Sequence, residues 1–198
     1  MFQLTLENER GKQMILHPST QYAVTNIQGL TPPTATINSS VVALQDGEVY
    51  NSARVNVRNI VISVKPQPDV EKNRIALYDA AKTKHWCKLY FKSDNRDVYI
   101  EGYIESVDGS LFEMSQEIQI SILCHQPYFV AMETIITEMS KTLDLFEFPF
   151  AIEKEGVEIS RIEDDLVKTI VNNGDVETGI IIEMLASGNV VNPTIYNA

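Results

Sequence analysis

The sequence predicts a mainly β protein with one flanking helix, and three observations support this fold class. Hydrophobic and polar residues alternate with a period of two over several runs, which is typical of strands with one buried face. Tight turns rich in Asp, Asn and Gly separate these runs, as at 93–97 and at Asp108-Gly109. Only one stretch, from Asp69 to about Lys84, combines helical hydrophobic spacing with charges suited to both helix ends.

The predicted strands begin at the N-terminus, where Phe2, Leu4 and Leu6 alternate with polar residues up to a turn near Glu9-Arg10-Gly11. Farther along the chain, three strands are predicted to form an antiparallel meander. Their apolar faces consist of Cys87, Leu89 and Phe91, then Val98, Ile100 and Ile104, then Ile118, Ile120, Ile122 and Cys124. Each set lies on one side of its strand, so we expect these faces to pack against a common core.

The run from Arg54 to Val64 changes character along its length. One face is polar up to Arg58, and from Ile60 onward the same face is apolar. Either the strand enters a core that buries both of its faces, or a β-bulge near Asn59 resets them. The alternation alone favours neither alternative.

The predicted helix, about 69–84, has an amphipathic stripe. Acidic residues in its first turn (Asp69, Glu71) and basic residues in its last (Lys82, Lys84) match the helix macrodipole. The stripe consists of Val70, Leu77, Tyr78 and Ala81, with Ile75 at its flank. Such a helix should pack on the sheet formed by its neighbours.

The domain organisation is predicted to change after Pro127-Tyr128-Phe129. Residues 1–128 form the first domain, 129–150 a connection, and 151–198 the start of a second module. A short helix at Ala131–Leu143 is disfavoured by its β-branched residues. The features predicted for the second part are the aromatic run Phe146–Phe150, strands at Val157–Ile162, Leu166–Val171 and Thr178–Leu185, and a turn at Asn173-Gly174-Asp175.

Composition and charge limit the function classes. The 198 residues include 44% hydrophobic and 22% charged residues, as in ordinary globular proteins. The sequence has no apolar run long enough for a membrane span and no signal-peptide core, so we expect a soluble protein made in the cytoplasm. Residues 1–125 contain 12 basic and 14 acidic residues, a net charge of −2, and residues 126–198 contain 4 and 13, a net charge of −9. This balance argues against phosphate-backbone binding and favours a solvated acidic surface.

Candidate catalytic and metal sites are weak. His85-Trp86-Cys87 with Cys124-His125 could supply four zinc ligands, but Cys124 and His125 point to opposite faces of a strand, so buried thiols are expected instead. The acidic cluster Glu163-Asp164-Asp165 lacks calcium-loop spacing and is expected to be a charged loop. No nucleophile elbow or phosphate-binding loop is present. The sequence therefore predicts a protein that is not an enzyme and holds no metal or cofactor.

Several short motifs follow one another in a characteristic order and spacing along the chain. In the first domain these motifs are Leu30-Thr31-Pro32-Pro33, Arg54 to Ile60, Tyr99-Ile100-Glu101-Gly102-Tyr103 and Pro127-Tyr128-Phe129. In the second part they are Phe146–Phe150, Asn172–Asp175 with Glu177-Thr178, and Val191-Asn192-Pro193 with Ile195-Tyr196-Asn197. Taken together, these motifs resemble the distal tail protein family of tailed bacteriophages. Because that family's second module usually continues beyond such motifs, the resemblance predicts an incomplete β-sandwich in residues 151–198.

The resemblance implies a fold and an assembly. The fold is a split β-barrel or sandwich of the tail-tube type, followed by the partial β-sandwich. Six copies would form a ring in the virion tail that joins the tail tube to the baseplate hub, tail-associated and receptor-binding proteins. DNA would pass through the channel without specific binding, and like-charge repulsion predicts acidic residues facing it. Pro32, Pro33, Arg54 and Arg58 are expected near the interface, although the arginines could instead pair with carboxylates inside one subunit.

Two other functions remain as alternatives. A carbohydrate-binding module would suit host adsorption, but residues 151–198 contain only one aromatic side chain of the kind that sugars stack on, Tyr196. A tail-associated hydrolase would need paired carboxylates in a cleft or a zinc site.

Overall fold

The computed structural model describes residues 2–44, 46–112, 116–144, 160–164, 167–186, 188–189 and 191–196. The chain divides into two compact units, Met1–Thr134 and Ile135–Ala198. Within the described residues, no helix is long and apolar enough to cross a membrane.

The first unit contains one helix and ten strands among its described residues. The strands are β1 (Gln3–Asn8), β2 (Gln13–Leu16), β3 (Tyr22–Gln28), β4 (Ala35–Val41), β5 (Glu48–Val55), β6 (Arg58–Pro66), β7 (Trp86–Lys92), β8 (Asp97–Gly109), β9 (Ile118–Cys124) and β10 (Val130–Ala131), and the helix is α1 (Val70–Ala80). This composition confirms the mainly β class with one helix.

The main sheet is open and antiparallel. Its strand order is β2-β1-β7-β8-β9-β6-β3, and β10 pairs with β8 off this path. The end strands β2 and β3 are consecutive in sequence, and the short turn 17–21 joins them through a hydrogen bond from the His17 N–H to the Tyr22 carbonyl. The two ends of the sheet therefore approach each other, but they form no continuous ladder, and the sheet is not a closed barrel.

The core lies on one face of this sheet and under α1. The predicted period-two faces of β1 and of the β7-β8-β9 meander face the core, because local alternation fixes which side of each strand is buried. The exception is Phe2, which precedes β1 and is 41% exposed. The side chains that are 0–1% exposed are Leu4, Leu6, Leu16, Ile60, Ile62, Val64, Leu77, Cys87, Leu89, Ile100, Ile104, Ile118, Ile120, Ile122 and Cys124.

The helix is shorter than the sequence predicts. It begins at Val70, one residue after the predicted start, but it ends at Ala80, because Ala81 leaves helical geometry with φ −108° and ψ 61°. Lys84 has a positive φ of 69°, so the predicted last turn cannot be helical. Of the predicted stripe, Leu77 and Ala81 are buried in the core, whereas Val70 is 37% exposed and the flanking Ile75 is 59% exposed.

The run from Arg54 to Val64 divides between two sheets. Asn56 and Val57 separate β5 from β6, and β6 then keeps an unbroken register with β9 from Arg58 to Val64. There is no bulge at Asn59. Arg58 lies on the same buried face as Ile60, which is why the polar-to-apolar change could not be interpreted from the alternation.

The described residues of the second unit contain one antiparallel pair, β11 (Ser140–Asp144) with β12 (Ser160–Asp164). The short helix considered at Ala131–Leu143 is absent, in keeping with its β-branched residues. Residues 167–171 and 178–185 are not in strands, so the strands predicted at Leu166–Val171 and Thr178–Leu185 are not formed in their described residues. The predicted turn is present, with the Asn172 side chain accepting from the Gly174 N–H at 2.9 Å. Phe146–Phe150 and residues 157–159 lie outside the described residues.

Candidate assembly surface

The most exposed ordered element of the first unit is the hairpin formed by β4 and β5. It is a separate two-stranded sheet that pairs with no other described strand. All of its strand residues are exposed on both faces. An isolated two-stranded hairpin is at best marginally stable in water, so this element is expected to gain stability from a partner.

The two faces of the hairpin differ in chemistry. The cross-strand pairs Ala35↔Val55 and Ile37↔Ala53 lie on one face, and Thr36↔Arg54 and Asn38↔Ser52 lie on the other. A register shift between Asn38 and Ser39 leaves Asn51 of β5 opposite no residue of β4, and beyond it the pairs Ser39↔Tyr50 and Val41↔Glu48 continue the first face. This first face, here called the apolar face, consists of Ala35, Ile37, Val41, Tyr50, Ala53 and Val55, with Ser39 and Glu48 near the tip, and the polar face consists of Thr36, Asn38, Ser40, Val49, Ser52 and Arg54.

Side-chain hydrogen bonds tie the two strands of the hairpin together. Asn38 Nδ2 donates to Ser52 Oγ at 3.1 Å, and Asn51 Nδ2 donates to Ser40 Oγ at 2.6 Å. On the apolar face the Ser39 hydroxyl donates to the Glu48 carboxylate near the tip, whereas Ile37 is 67% exposed and Tyr50 64% exposed. The apolar face is therefore the one that would gain from burial.

A buried arginine, Arg58, lies at the root of the hairpin, the end at which the chain enters β4 and leaves β5. Arg58 is 6% exposed. Its Nη1 donates to the carbonyls of Gly29 and Thr31 at 2.5 and 2.7 Å. Its Nε donates to the carbonyl of Pro127 at 2.7 Å, and its guanidinium lies 4.9 Å from the centre of the Phe129 ring. The side chain thus joins the segment that leads into β4 to the segment that follows β9.

The Arg58 charge has no carboxylate partner in this cluster. Burial lowers the pKa of its guanidinium, and the nearby Cys124 thiol opposes that shift. The group remains protonated because an arginine pKa starts above 12. Three charge-assisted hydrogen bonds and one aromatic face replace the water that burial removes.

Gly29 allows the chain to approach this cluster closely. Its φ is +86°, and a Cβ at this position would lie 2.1 Å from the Asn59 carbonyl oxygen. A side chain is therefore excluded on steric grounds as well as by backbone conformation. Across the base of the hairpin, the N–H of Asn56, just after β5, donates to the carbonyl of Thr34, just before β4, at 2.9 Å.

The four residues predicted near an interface all lie around this hairpin. Pro32 and Pro33 are in the loop before β4, with Pro32 exposed and Pro33 half-buried, and Arg54 is exposed on the polar face. Arg58 differs, because its guanidinium is engaged by backbone carbonyls inside the subunit. It cannot contact a partner without breaking those bonds. The alternative of intramolecular carboxylate pairing is not what the structure shows for Arg58.

The sequence interpretation missed the hairpin itself. Its signal is the alternation in residues 35–41, where Ala35, Ile37 and Val41 share one side and Thr36, Asn38 and Ser40 the other. The contrast is weak because alanine and serine occupy three of the seven positions. The sequence also does not show that both faces of the hairpin stay exposed in the folded chain.

The two cysteines lie on one buried face on either side of Gly102. Cys87 pairs with Gly102 across β7 and β8, and a Cβ on Gly102 would meet Cys124 Sγ at 2.9 Å and the Leu123 carbonyl at 2.8 Å. Burial raises the pKa of Cys87 to about 12, with a further contribution from Cys124, and raises the pKa of Cys124 to about 11. Both thiols are protonated, unreactive core groups.

The other candidate sites do not come together. His85 precedes β7 and its Nδ1 lies 2.7 Å from Glu9 Oε1, while His125 packs edge-on against Tyr103 with centroids 5.8 Å apart. Among the described residues no three metal-ligating side chains cluster. The side chains of Glu163-Asp164-Asp165 lie outside the described set.

The fold is that of proteins from phage tails and baseplates. The chain is similar to the Dit protein of phage SPP1, a hub of the adsorption apparatus in phages that infect Gram-positive bacteria. The TM-score is 0.51 with 12% identity over 71% of this chain and 54% of that one. It is also similar to a protein of the phage P2 baseplate in its Ca-activated conformation. That TM-score is 0.50, with 13% identity over 80% of this chain and 59% of that one.

These likenesses concern the fold, since the identities are low. The chain spans a little over half the length of each of the two proteins. Comparison with protein-family models and with curated protein sequences gives no match.

Proposed function

We propose that this chain is a structural protein of a phage or phage-derived tail that forms a hexameric ring between tail tube and baseplate. The tube protein would lie on one side of the ring, and hub, tail-associated and receptor-binding proteins on the other. DNA or an effector would pass through the central channel without specific binding. The observation that carries this proposal is the fold shared with the two phage proteins, at TM-scores of 0.51 and 0.50.

The hairpin supports assembly as the mode of action. A closed ring of identical subunits needs two different surfaces on each copy, because one surface of each copy binds the other surface of the next copy. The exposed apolar face of the β4–β5 hairpin is a candidate for one of these two surfaces. Arg58, which fixes its root, would position it for a neighbouring subunit.

One pocket among the described residues gives no support to an enzymatic alternative. It has a volume of about 250 Å³ and is lined by Gln3, Thr5, Gln13, Tyr90, Lys92, Asp97 and Met132. These residues include one carboxylate and no nucleophile with an adjacent base, so they do not form the paired groups that hydrolysis requires. We propose a non-enzymatic role for the chain.

The test is the assembly state of the purified full chain, measured by light scattering and negative-stain electron microscopy. We expect six-fold rings with a central hole, either for the chain alone or after it is added to purified tail tubes of the same phage. A chain that stays monomeric at high concentration and also fails to bind tube ends would contradict the proposal.

Carbohydrate binding at the tail tip is the alternative function. In the described part of residues 151–198, Tyr196 is 86% exposed but has no aromatic neighbour there. Trp86, Tyr90 and Tyr99 instead surround Lys88 on the first unit, and the Lys88 Nζ lies 4.2 Å from the Tyr99 ring centre. A glycan array discriminates between the two functions, because specific sugar binding without rings favours the alternative.

A further inference from the structure

Arg58 is the first residue of β6, and its side chain points inward. It pairs with Cys124, the last residue of β9, and Ile60 pairs with Ile122 two positions farther on. Since alternate residues of a strand share a side, the Arg58 side chain lies on the same inner face as Ile60. A cation placed there is removed from water and needs hydrogen-bond partners within the protein.

The first group of partners belongs to the hairpin root, which consists of residues 29–34 before β4 and of Asn56 after β5. Two carbonyls of this segment accept from the Arg58 Nη1. The Asn56 N–H closes the root by donating to the Thr34 carbonyl at 2.9 Å. Among the described strands, β4 and β5 pair only with each other. The bonds at the root therefore contribute much of what holds the hairpin to the rest of the unit.

The second group of partners belongs to residues 127–132, here called the post-β9 segment. The Arg58 Nε donates to the Pro127 carbonyl at 2.7 Å, and the guanidinium lies 4.9 Å from the centre of the Phe129 ring. Beyond that ring, β10 pairs with β8 over two residues only. So short a ladder opens easily, which gives the Arg58 contacts a large share in holding the segment. The chain continues from this segment into the second unit.

We propose that Arg58 couples the hairpin root to the post-β9 segment, so that the two segments are held in place or released together. One guanidinium serves carbonyls on both segments. When one segment moves away, the cation loses part of its hydrogen bonds and shifts, which weakens its bonds to the other segment. A partner that binds the hairpin and holds its root would therefore also order the segment that leads into the second unit.

Burial and geometry prevent Arg58 from serving one segment alone. The residue is 6% exposed, so water does not replace a carbonyl that is lost. The guanidinium is planar, and its Nη1 and Nε donate in fixed directions to different segments. The root is also packed directly against β6, because a Cβ on Gly29 would lie 2.1 Å from the Asn59 carbonyl oxygen. These restraints favour two discrete arrangements over independent motion of the two segments.

A coupling of this kind is reciprocal. The free energy by which the hairpin root stabilises the post-β9 segment equals that by which the post-β9 segment stabilises the root. A change confined to one segment therefore appears in the opening of the other. The transmitted effect disappears when the Arg58 side chain is removed, and this dependence distinguishes the coupling from a general loss of stability.

The test is hydrogen–deuterium exchange of the Asn56 N–H in a Phe129→Leu variant of the full chain, resolved by mass spectrometry of overlapping peptides. The substitution lies in the post-β9 segment and removes the aromatic face beside the guanidinium, but it leaves the Arg58 donors in place. We expect the Asn56 amide at the hairpin root to exchange about threefold to tenfold faster, the size of effect that the loss of one cation–aromatic contact gives.

The matched control is Tyr128→Leu. Tyr128 is the adjacent aromatic residue and is 38% exposed, and the ring beside the guanidinium is that of Phe129. In this variant the Asn56 exchange rate should change by less than about twofold, as for a surface substitution outside the cluster. The amides of β9, in the middle of the main sheet, report whether each variant is folded.

A double-mutant cycle with Arg58→Met identifies the route of the coupling. Adding Phe129→Leu to this variant should leave the Asn56 exchange rate unchanged, because the shared side chain is already gone. If Arg58→Met does not fold, Arg58→Lys takes its place, since an ammonium lacks the planar fork that reaches both segments.

Three results would overturn the coupling. They are an unchanged Asn56 exchange rate in Phe129→Leu, an equal acceleration in Tyr128→Leu, and an equal effect of Phe129→Leu with and without the Arg58 side chain. The last result would mean that the effect passes through the core. All variants are compared as full chains in the same assembly state, so the outcome is separate from whether rings form.

Discussion

Arg58 is the residue whose position matters most for the hairpin. Its three hydrogen bonds reach carbonyls on two segments that the sequence separates widely, Gly29–Thr31 and Pro127, the latter 69 positions away. These hydrogen bonds replace those that water would make with the guanidinium and with the carbonyls. Removing the donors therefore leaves buried acceptors unpaired at the root of the hairpin.

We predict that Arg58→Met lowers the free energy of unfolding by about 3 kcal/mol, because a methionine fills the space but donates no hydrogen bond. Arg54→Met is the matched control, since Arg54 is exposed on the hairpin, and it should change the stability by less than about 0.5 kcal/mol. Urea unfolding monitored by circular dichroism measures both. Equal losses in the free energy of unfolding for the two variants would show that the buried hydrogen bonds of Arg58 do not stabilise the fold.

Gly102 lies between the two buried thiols, where there is no space for a side chain. We predict that Gly102→Ala lowers the free energy of unfolding by about 2 to 3 kcal/mol, because its methyl group would meet the Leu123 carbonyl at 2.8 Å. Gly179→Ala is the control, since nothing lies within 4 Å of a Cβ there. Thermal unfolding of the two variants provides the comparison, and a Gly102→Ala variant as stable as the control would refute the steric argument.

The buried thiols make stability depend on alkaline pH. The pKa values of Cys87 and Cys124 are raised to about 12 and about 11, so the folded protein holds these protons more tightly than the unfolded chain, whose thiols titrate near about 8.5. The contribution is complete below that pH and is lost progressively as the pH rises from there to the folded pKa values, about 11 for Cys124 and about 12 for Cys87.

We therefore predict that raising the pH from 7 to 10 costs about 2 kcal/mol of stability per thiol, relative to a Cys87→Ala, Cys124→Ala variant. Comparing with this variant cancels the titration of lysines and tyrosines. Urea midpoints at the two pH values measure the difference. Parallel losses in both proteins would mean that the thiols are not buried as described.

At the scale of elements, the hairpin and the main sheet should differ in local stability. The β4–β5 hairpin has no neighbouring described strand, whereas β9 lies between β6 and β8. Few buried contacts and a short ladder permit local opening without global unfolding.

We predict that amides of β4 and β5 exchange with solvent at least tenfold faster than those of β9 in the isolated subunit, and that assembly slows them at least tenfold. Hydrogen–deuterium exchange with mass spectrometry measures both states, with β9 as the internal reference. Unchanged hairpin exchange on assembly would show that the hairpin is not part of the contact.

The elements also show how far local pattern predicts this fold. The strands β1, β7, β8 and β9 follow from alternation because each has one side in the core, and that property is carried by consecutive residues. The end of α1 was placed too late, since Lys82 suits a last helical turn but instead lies 2.9 Å from Asp79 beyond the helix. The charge pattern fits both geometries equally.

At the scale of the whole molecule, charge should control assembly. The net charge is −11, and residues 126–198 carry −9 of it. Copies brought together would repel one another through these acidic segments, and dissolved salt screens that repulsion.

We predict that association strengthens severalfold when ionic strength rises from about 0.02 to 0.2 M, because apolar docking is little affected while repulsion is screened over about 10 Å. Light scattering at fixed protein concentration measures the change. Dissociation on adding salt would instead indicate an interface held by opposite charges.

The sequence by itself determined the mainly β class, the buried faces of the meander, the helix start and the near neutrality of the first segment. Each of these depends on neighbouring residues or on composition. Only the tertiary structure decided that Arg58 lies inside, that Gly102 separates two thiols, and that the hairpin is exposed on both faces. Those features depend on residues far apart in sequence, because burial and hydrogen bonding are set by what the fold brings alongside.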